Sequence, residues 1–318
     1  METKTKVEFD QIVERGCGMD VHKETVVATV SGTGIQEETR TFSTFTNSLL
    51  SLKEWLKEKK ITHAAMESTG VYWKPVFNIL EEDFEILLVN ARHIKNVPGH
   101  KTDKKDSRWI TKLLLSGLLK GSFIPPTEIR ELRDLFRYKR KLTGQVSSEK
   151  NRLQKILEDT NIKLSSVVSD TFGVSSTKII DALLEGEKDV EKLIALCHGR
   201  LAVKKDQLKE ALVGTLSVHH KFMLRTIKKS IVSIEKIIAE VEKQIDKKMS
   251  DYEQEIELLQ TIPGVGKNTA QGIIAEMGAN MDVFPNEQHL ASWAGMSPGN
   301  NESAGKKKVE ELHMAIKH

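Results

Sequence analysis

The stretch GCGMDVHKETVVATV, Gly16 to Val30, decides the fold class of the first part of the chain. It is rich in β-branched residues and alternates apolar with polar positions towards its end, as a strand does. Gly32 and Gly34 then provide a turn, and the run from Ile35 to Phe42 is again extended. The pattern predicts a β-hairpin that presents Asp20 on one face of a sheet.

Helical and extended segments alternate after this hairpin. The predicted order is a helix around residues 49–56, a strand at 61–67, a helix around 76–80 and a strand at 84–90. A helix from about Asp103 to Leu119 follows, and Pro125 and Pro126 close the unit. Strands separated by helices indicate an α/β sheet, which is mixed because it opens with a hairpin.

The chain beyond Pro126 is helical. Two long segments carry apolar residues at alternating spacings of three and four, and the first of them has two charged members. The stripes are Leu132, Leu135, Lys139, Leu142, Val146, Glu149, Leu153 and Ile156, and Ile227, Ile231, Ile234, Ile238, Val241 and Ile245. We expect an antiparallel coiled-coil arm with a small helical cap at about Asn161 to Thr215, and the stripes are interpreted as helix packing or a dimer seam.

A glycine turn between two helices begins the last part of the chain. The phrase LLQTIPGVGKNTAQGIIAEMG, residues 258–278, resembles a helix-hairpin-helix element. The turn amides at Gly264 and Gly266, and the helix N-terminus at Lys267, would then hold a nucleic-acid phosphate. The alternative is a turn that only packs.

Bulk composition argues against several classes of protein. Of the 318 residues 39% are hydrophobic and 29% are charged, and no apolar run approaches the roughly 18 residues that a membrane span needs. Two cysteines are too few for a disulfide scaffold or a zinc cluster, so a reducing cytoplasm is expected.

Positive charge is concentrated in one part of the chain. The formal net charge is only +3, yet Ala91 to Lys150 contains 15 Lys and Arg residues against 6 Asp and Glu residues. Such a concentration suits phosphate backbones.

Four carboxylates are candidates for a metal site. Glu67 ends a predicted strand, where open α/β sheets place their ligands, and Asp103 and Asp106 share one face of a predicted helix. Together with Asp20 they could hold one or two Mg²⁺ ions, which would clamp the attacking and leaving oxygens of a phosphoryl transfer. A solvated helix start remains the alternative for the two aspartates, because the helix dipole favours acid there.

A loop serine and the histidines are the other chemical candidates. Ser303, in NNESAGKKK, precedes three lysines that could stabilise a pentavalent phosphate if the serine were a nucleophile. The alternative is an idle loop residue, because most loop serines are not nucleophiles. The histidines, including His22, show no metal-ligand spacing and are interpreted as structural or surface residues.

In this order, the phrases GMDVHKETVVATV, MESTGVYWKPV, LLVNARHIKNVPGHKTDKKDS, LLQTIPGVGKNTAQGIIAEMG and the serine loop closely resemble insertion-sequence transposases of the DEDD class, the bridge-RNA-guided recombinases. The resemblance implies three domains: a RuvC-like, RNase H-type domain at 14–126, a helical coiled-coil arm with a cap at 127–250 and a C-terminal transposase domain at 251–318.

The resemblance also implies the roles of individual residues. The metal ligands for Mg²⁺ would be Asp20, Glu67, Asp103 and Asp106, and Ser303 would become covalently linked to a DNA phosphate. The residues expected at nucleic acid are Lys101, Lys104, Lys105, Arg108, Gly264, Gly266, Lys267, Lys306 and Lys307.

Partners follow from the same resemblance. A structured non-coding guide RNA would pair with donor and target DNA, and protomers of a homodimer or homotetramer would form composite sites. The expected location is the cytoplasm of a bacterium or archaeon, in association with the nucleoid, and no membrane is involved.

The chain departs from the family pattern in two places. After the serine loop, where relatives continue with a basic helical segment, it runs VEELHMAIKH, which suggests a truncated or frameshifted copy. Ser107 stands where an alanine is expected after Asp106. Two other functions stay open: a metal-only junction-resolving endonuclease with an idle Ser303, and a nucleic-acid-binding remnant without catalysis.

Overall fold

The computed structural model describes residues 12–68, 70–90, 106–198, 203–296, 302–303 and 306–307. The chain divides into two compact units, Met1–Ile124 and Pro125–His318. The three-domain division expected from the sequence stays a prediction. Across the described ranges, no helix combines the length and apolar character that a membrane crossing requires.

A five-stranded mixed sheet forms the framework of the first unit. Its strands are β1 Arg15–Val21, β2 Thr25–Gly32, β3 Ile35–Ser43, β4 His63–Glu67 and β5 Glu85–Val89, in the spatial order β3-β2-β1-β4-β5. The pairs β1–β2 and β2–β3 are antiparallel, whereas β4 runs parallel to β1 and β5 parallel to β4. This mixed α/β architecture is consistent with the expected RNase H-like domain.

The first stretch of the sheet differs from the prediction of a single hairpin. The segment Gly16 to Val30 contributes two strands, because the chain reverses at residues 22–24, where the His22 amide donates to the Thr25 carbonyl over 2.9 Å. The polar run His-Lys-Glu interrupts the alternation there. Asp20 therefore lies next to the C-terminal end of β1 and not in mid-hairpin.

Helices cover both faces of the sheet. The helices α1 Thr46–Glu58 and α2 Trp73–Leu80 pack on one face, over a core that includes Cys17, Met19, Val26, Ala28, Leu52, Trp55, Ala64, Met66 and Leu80. The helix α3 Asp106–Leu115 packs on the other face, where Ile110, Leu113 and Leu114 contact Ala65 and Val89. Because strand side chains alternate between faces, β1 presents Gly16, Gly18 and Asp20 towards the α3 side.

The first two turns of α3 are held against β1 and β2 through a glycine and three hydroxyl groups. The Gly18 amide donates to Thr111 Oγ1 over 2.9 Å, and Ser107 Oγ lies 2.9 Å from Thr29 Oγ1. A Cβ atom at Gly18 would lie 2.4 Å from both the Ser107 carbonyl oxygen and the Thr111 amide nitrogen. Only glycine allows the helix to approach the strand this closely.

The helix α3 ends at Leu115, four residues before the predicted end at Leu119. Gly117 adopts a left-handed conformation with φ +64°, and the Leu118 amide donates to the Leu113 carbonyl over 3.0 Å. This pattern is a glycine C-cap that stops the helix.

The second unit is mainly helical. Its described elements are α4 Thr127–Asp159, α5 Leu164–Val167, α6 Val174–Glu185, α7 Val190–Ala195, α8 Lys205–Ala211, α9 Val218–Met249, α10 Glu253–Gln260, α11 Lys267–Met277, α12 Glu287–Trp293, short 3₁₀ turns at Ser250–Tyr252 and Met281–Val283, and the strands β6 Glu302–Ser303 and β7 Lys306–Lys307.

The two long helices, α4 and α9, pack side by side in opposite directions. His220, near the start of α9, contacts Asp159 at the end of α4, with 3.1 Å between Nε2 and Oδ2. Towards the other end of α9, Glu242 accepts an ion pair of 2.9 Å from Lys139. The apolar stripe residues of both helices are buried or partly buried where the helices pack on each other and on neighbouring helices. The two charged stripe residues, Lys139 and Glu149, lie at the edge of this contact with part-exposed side chains.

We expect Gly18→Ala to lower the free energy of unfolding of the first unit by about 1 to 3 kcal/mol, because the added methyl group overpacks the strand–helix contact. Tryptophan fluorescence during urea denaturation reports this transition, since three of the four tryptophans, including the buried Trp55, belong to this unit.

Gly144→Ala in α4 is the matched control. No atom lies within 4 Å of a Cβ built at Gly144, so alanine should stabilise the second unit by about 0.5 to 1 kcal/mol through helix propensity. Circular dichroism follows that transition. An unchanged fluorescence midpoint for Gly18→Ala would show that α3 does not pack on β1 as described.

Candidate active site

Two of the predicted carboxylates stand at the ends of neighbouring parallel strands. The last register pair between β1 and β4 is Met19 with Met66, so Asp20 and Glu67 are the next residue of each strand. Both side chains point to the α3 face, because Met19 and Met66 are buried on the opposite face. The sheet therefore brings Asp20 and Glu67 together at its carboxyl edge.

The Asp20 carboxylate is accessible and has a histidine neighbour. Its side chain is 21% exposed, and Oδ2 lies 3.0 Å from Nε2 of His22, whose ring is 59% exposed. The spacing of the histidines along the sequence does not predict this contact. The signal that could have found it is the chain reversal directly after β1, which folds His22 back towards the strand end.

The helix α3 brings a third predicted carboxylate into the same region. Asp106 is the first residue of α3, immediately before Ser107, whose carbonyl oxygen touches Gly18 two residues before Asp20. The backbone of Asp106 is thereby fixed on the face that carries Asp20 and Glu67. Its side chain lies outside the described part of the structure.

Ser107 accounts for one of the two departures from the family pattern. It is 4% exposed, and its hydroxyl group is satisfied by Thr29 Oγ1, which also lies 2.8 Å from Thr39 Oγ1. A buried hydroxyl is tolerated when it is hydrogen-bonded. The serine is therefore accommodated without disturbing the start of α3.

Asp103, Lys101, Lys104 and Lys105 lie outside the described residues. The described part contains no group of three or more His, Cys, Asp or Glu residues placed to hold a metal ion. Asp20 and Glu67 supply hard carboxylate oxygens at one accessible edge, which is the donor chemistry that Mg²⁺ prefers. The described residues thus provide half of a four-carboxylate set, and what they provide fits a divalent ion.

Cys17 does not compete as a nucleophile in this region. It lies on β1 on the buried face opposite Asp20, and burial raises the pKa of its thiol far above the ordinary value. A protonated, enclosed thiol is unreactive.

Arg108, predicted to contact nucleic acid, is held by β3. Its Nε lies 3.4 Å from Glu37 Oε1 and 3.4 Å from Thr39 Oγ1, and the side chain is 46% exposed. Part of its charge is therefore balanced within the first unit, and an incoming phosphate would have to compete with Glu37.

The glycine turn between α10 and α11 is open to solvent. Gly264 has φ +88°, which a β-carbon would strain, and no atom lies within 4 Å of a Cβ built at Gly264 or Gly266. Gly266 caps α11 without a side-chain hydrogen bond, and Lys267, the first residue of the helix, is exposed. The turn amides and the positive helix end are thus accessible to an anion.

Ion pairs fix the orientation of α11 on α4. The guanidinium of Arg137 donates from Nε and Nη2 to the two carboxylate oxygens of Glu276 over 3.0 and 2.9 Å, and this raises the pKa of Arg137. Lys139 Nζ donates to Asn268 Oδ1 over 3.0 Å in the first turn of α11.

Ser303 belongs to a short antiparallel ladder. Its backbone pairs with Lys306, and Glu302 pairs with Lys307. The side chains of these four residues lie outside the description, so the ladder fixes only which residues face one another along the backbone. It places a lysine directly opposite the predicted nucleophile.

Comparison with known families covers both units. Residues 17–162 match the DEDD-type IS110 family model, which is described as a transposase. Residues 256–314 match a second model, described as the transposase IS116/IS110/IS902 family. No curated protein matches the chain. The order and extent of the two family matches show that the chain belongs to the insertion-sequence transposases of the DEDD class.

Proposed function

We propose that this transposase is an RNA-guided DNA recombinase that depends on Mg²⁺ and forms a phosphoserine link to DNA. The observation that carries the proposal is the pairing of β1 with β4, which sets Asp20 and Glu67 side by side on the face where α3 begins with Asp106. Carboxylates from several elements that converge on one accessible edge are typical of metal-dependent phosphoryl transfer.

The carboxylates have a binding role in this scheme. Asp20 and Glu67 supply oxygens from the sheet, and Asp103 and Asp106 supply oxygens from the start of α3. Mg²⁺ held there would balance the negative charge that develops on the attacking and leaving oxygens. Strand ends and a buried helix turn are rigid supports, which suits groups that must be positioned before the reaction.

Ser303 has the nucleophilic role. Its hydroxyl oxygen forms a bond to a DNA phosphorus as the bond from that phosphorus to the deoxyribose oxygen breaks, and the hydroxyl proton leaves while the departing oxygen gains a proton. Lys306 and Lys307 supply positive charge for the phosphate. Attack by the freed hydroxyl of another strand would reverse the step and complete the exchange.

The remaining predicted residues contact nucleic acid. Lys101, Lys104, Lys105 and Arg108 would hold strands near the carboxylates. The turn at Gly264, Gly266 and Lys267 would act as a helix-hairpin-helix element on a phosphate. We assign α4 and α9 as the coiled-coil arm, a guide RNA as the element that selects DNA, and a homodimer or homotetramer as the active species.

Mg²⁺ binding can be tested without activity. At a Mg²⁺ concentration about 100 times the dissociation constant, the wild-type protein should gain about 2.7 kcal/mol of stability, seen as a rise in its unfolding temperature. Glu67→Gln should abolish most of this gain because it removes a charged ligand.

Glu85→Gln is the matched control for the metal test. Glu85 lies on the neighbouring strand at the opposite edge, paired in register with His63, and its side chain is 72% exposed. It should keep the wild-type response to Mg²⁺. A full Mg²⁺ response in Glu67→Gln would remove Glu67 from the proposed site.

The covalent step has a direct assay. Purified protein with the element's non-coding RNA, Mg²⁺ and labelled donor and target DNA should give a labelled protein–DNA adduct on a denaturing protein gel. Ser303→Ala should abolish the adduct because no hydroxyl group remains to attack, whereas the nearby variant Ser292→Ala, in α12, should retain it.

Each other outcome assigns a different function. Cleaved DNA without an adduct would indicate a metal-only endonuclease, and bound RNA without cleavage would indicate a nucleic-acid-binding remnant. An adduct that persists in Ser303→Ala would rule out this serine as the nucleophile.

A further inference from the structure

The outward face of α4 carries a line of basic side chains that the proposed site does not use. The inner face of the helix is marked by the buried residues Leu142, Val146 and Leu153. With 3.6 residues per turn, Arg140, Lys141 and Lys155 project away from this inner face, and Arg152 lies on the flank of the helix next to them. These four residues are called the basic track below.

Three of the four side chains of the basic track are free to bind. Arg140, Lys141 and Lys155 are exposed, and none of them makes a hydrogen bond or ion pair within the described ranges of the chain. Arg152 is 66% exposed and pairs with Glu149 on its own helix. Surface side chains without partners keep their charge available for another molecule.

Between the two ends of the track, the surface of α4 carries small or uncharged polar residues. Gly144, Gln145, Ser148 and Asn151 lie there and are exposed, and no atom lies within 4 Å of a Cβ built at Gly144. Single-stranded nucleic acids are usually bound on aromatic platforms, which these residues do not provide. Small polar residues between cations suit a regular phosphate backbone that must come close to the helix.

The track continues from the glycine turn of α11. The helix α11 runs antiparallel to α4: Gly278 lies against Ile129 near the start of α4, Gly272 lies near Phe136, and Asn268 bonds to Lys139. The N-terminus of α11 is therefore directed towards Arg140 and Lys141. The first turn of α11 thus contacts the residue that precedes Arg140 in α4, within the second unit.

The charge and length of this segment suit a phosphate backbone. Residues 137–155 contain seven Lys and Arg residues against a single acidic residue, Glu149. Lys141 and Lys155 are about 21 Å apart along the helix axis. That distance corresponds to about six base pairs at a rise of 3.4 Å.

We propose that the basic track binds the phosphate backbone of double-stranded DNA and extends the contact made by the α10–α11 turn. The inference rests on the proposed function only for the identity of the substrate as DNA. The track contributes affinity without reading sequence, because the contacts are to phosphates. It keeps the duplex along α4 while other parts of the protein act on it.

The test is the salt dependence of duplex binding by the full-length chain. The variant Arg140→Gln/Lys141→Gln/Lys155→Gln removes the three unpaired charges and retains helix-forming side chains. The slope of log affinity against log salt concentration should become shallower by about 2 to 3, since each lost phosphate contact changes it by about 0.9. Affinity at low salt should fall at least tenfold.

A matched control removes three charges elsewhere in the same unit. Lys178, Lys188 and Lys205 are exposed in the helical cap, and the variant Lys178→Gln/Lys188→Gln/Lys205→Gln should keep the wild-type slope within about 0.5. Equal changes in both variants, or no change in the track variant, would overturn the proposal. Circular dichroism melting of both variants verifies that the helices remain folded.

Two further measurements distinguish DNA binding by the track from RNA binding and from the covalent step at Ser303. The same titration with a hairpin RNA should show a smaller slope change than with DNA, and a change confined to RNA would overturn the assignment. Carrying the track variant in a Ser303→Ala background should leave the slope change intact. If the wild-type protein forms no adduct but the slope change is intact, the covalent step is rejected and DNA binding by the track is retained. If the wild-type protein does not bind duplex DNA, both the proposed function and the track proposal are rejected.

Discussion

The contact between Gly18 and the first turn of α3 sets the geometry on which the rest of the first unit depends. The strand and the helix approach so closely that a methyl group has no room. Beside this contact the hydroxyl groups of Thr29 and Ser107 bond to each other, and the Thr111 hydroxyl donates to the carbonyl oxygens of Thr29 and Ser107. Buried hydroxyls with such partners hold a single arrangement, because any slip leaves one of them without a hydrogen bond. The residue before Ser107 is Asp106, so this contact fixes the position of the Asp106 backbone at the start of α3.

The same arrangement places two negatively charged groups on neighbouring strands. Two carboxylates on neighbouring strand ends repel each other, by about 1 kcal/mol at 4 Å in water and more as the surroundings become less polar. His22 Nε2 lies 3.0 Å from Asp20 Oδ2 and so contacts one of the two carboxylates. A divalent ion bound between them would relieve the repulsion. If the proposed metal binding occurs, it would therefore also stabilise this edge of the sheet.

Periodicity made much of the fold predictable. The alternation of strands and helices gives the α/β unit, and the spacing of Leu142, Val146 and Ile231 gives the buried sides of the long helices. The split of residues 16–30 into two strands, the end of α3 at Leu115 and the His22 contact were missed. They depend on a three-residue reversal, on a glycine cap and on chain folding at a strand end. The Gly18 contact joins residues 18 and 111 and has no local signature at all.

The positively charged residues of α4 are concentrated in one segment, and neither packing nor solubility requires this. Its inner face meets α9 through apolar residues, and the charged members at the edge of that face have partners, Lys139 with Glu242 and Glu149 with Arg152. A helix that served only as a spacer would need a solvated face on which both signs are mixed, because mixed charges suffice for solubility and avoid self-repulsion. Between residues 137 and 155 this helix instead repeats one sign. Like charges on one helix face destabilise the isolated helix by a few tenths of a kcal/mol per close pair, and the proposed binding of a polyanion would offset that cost.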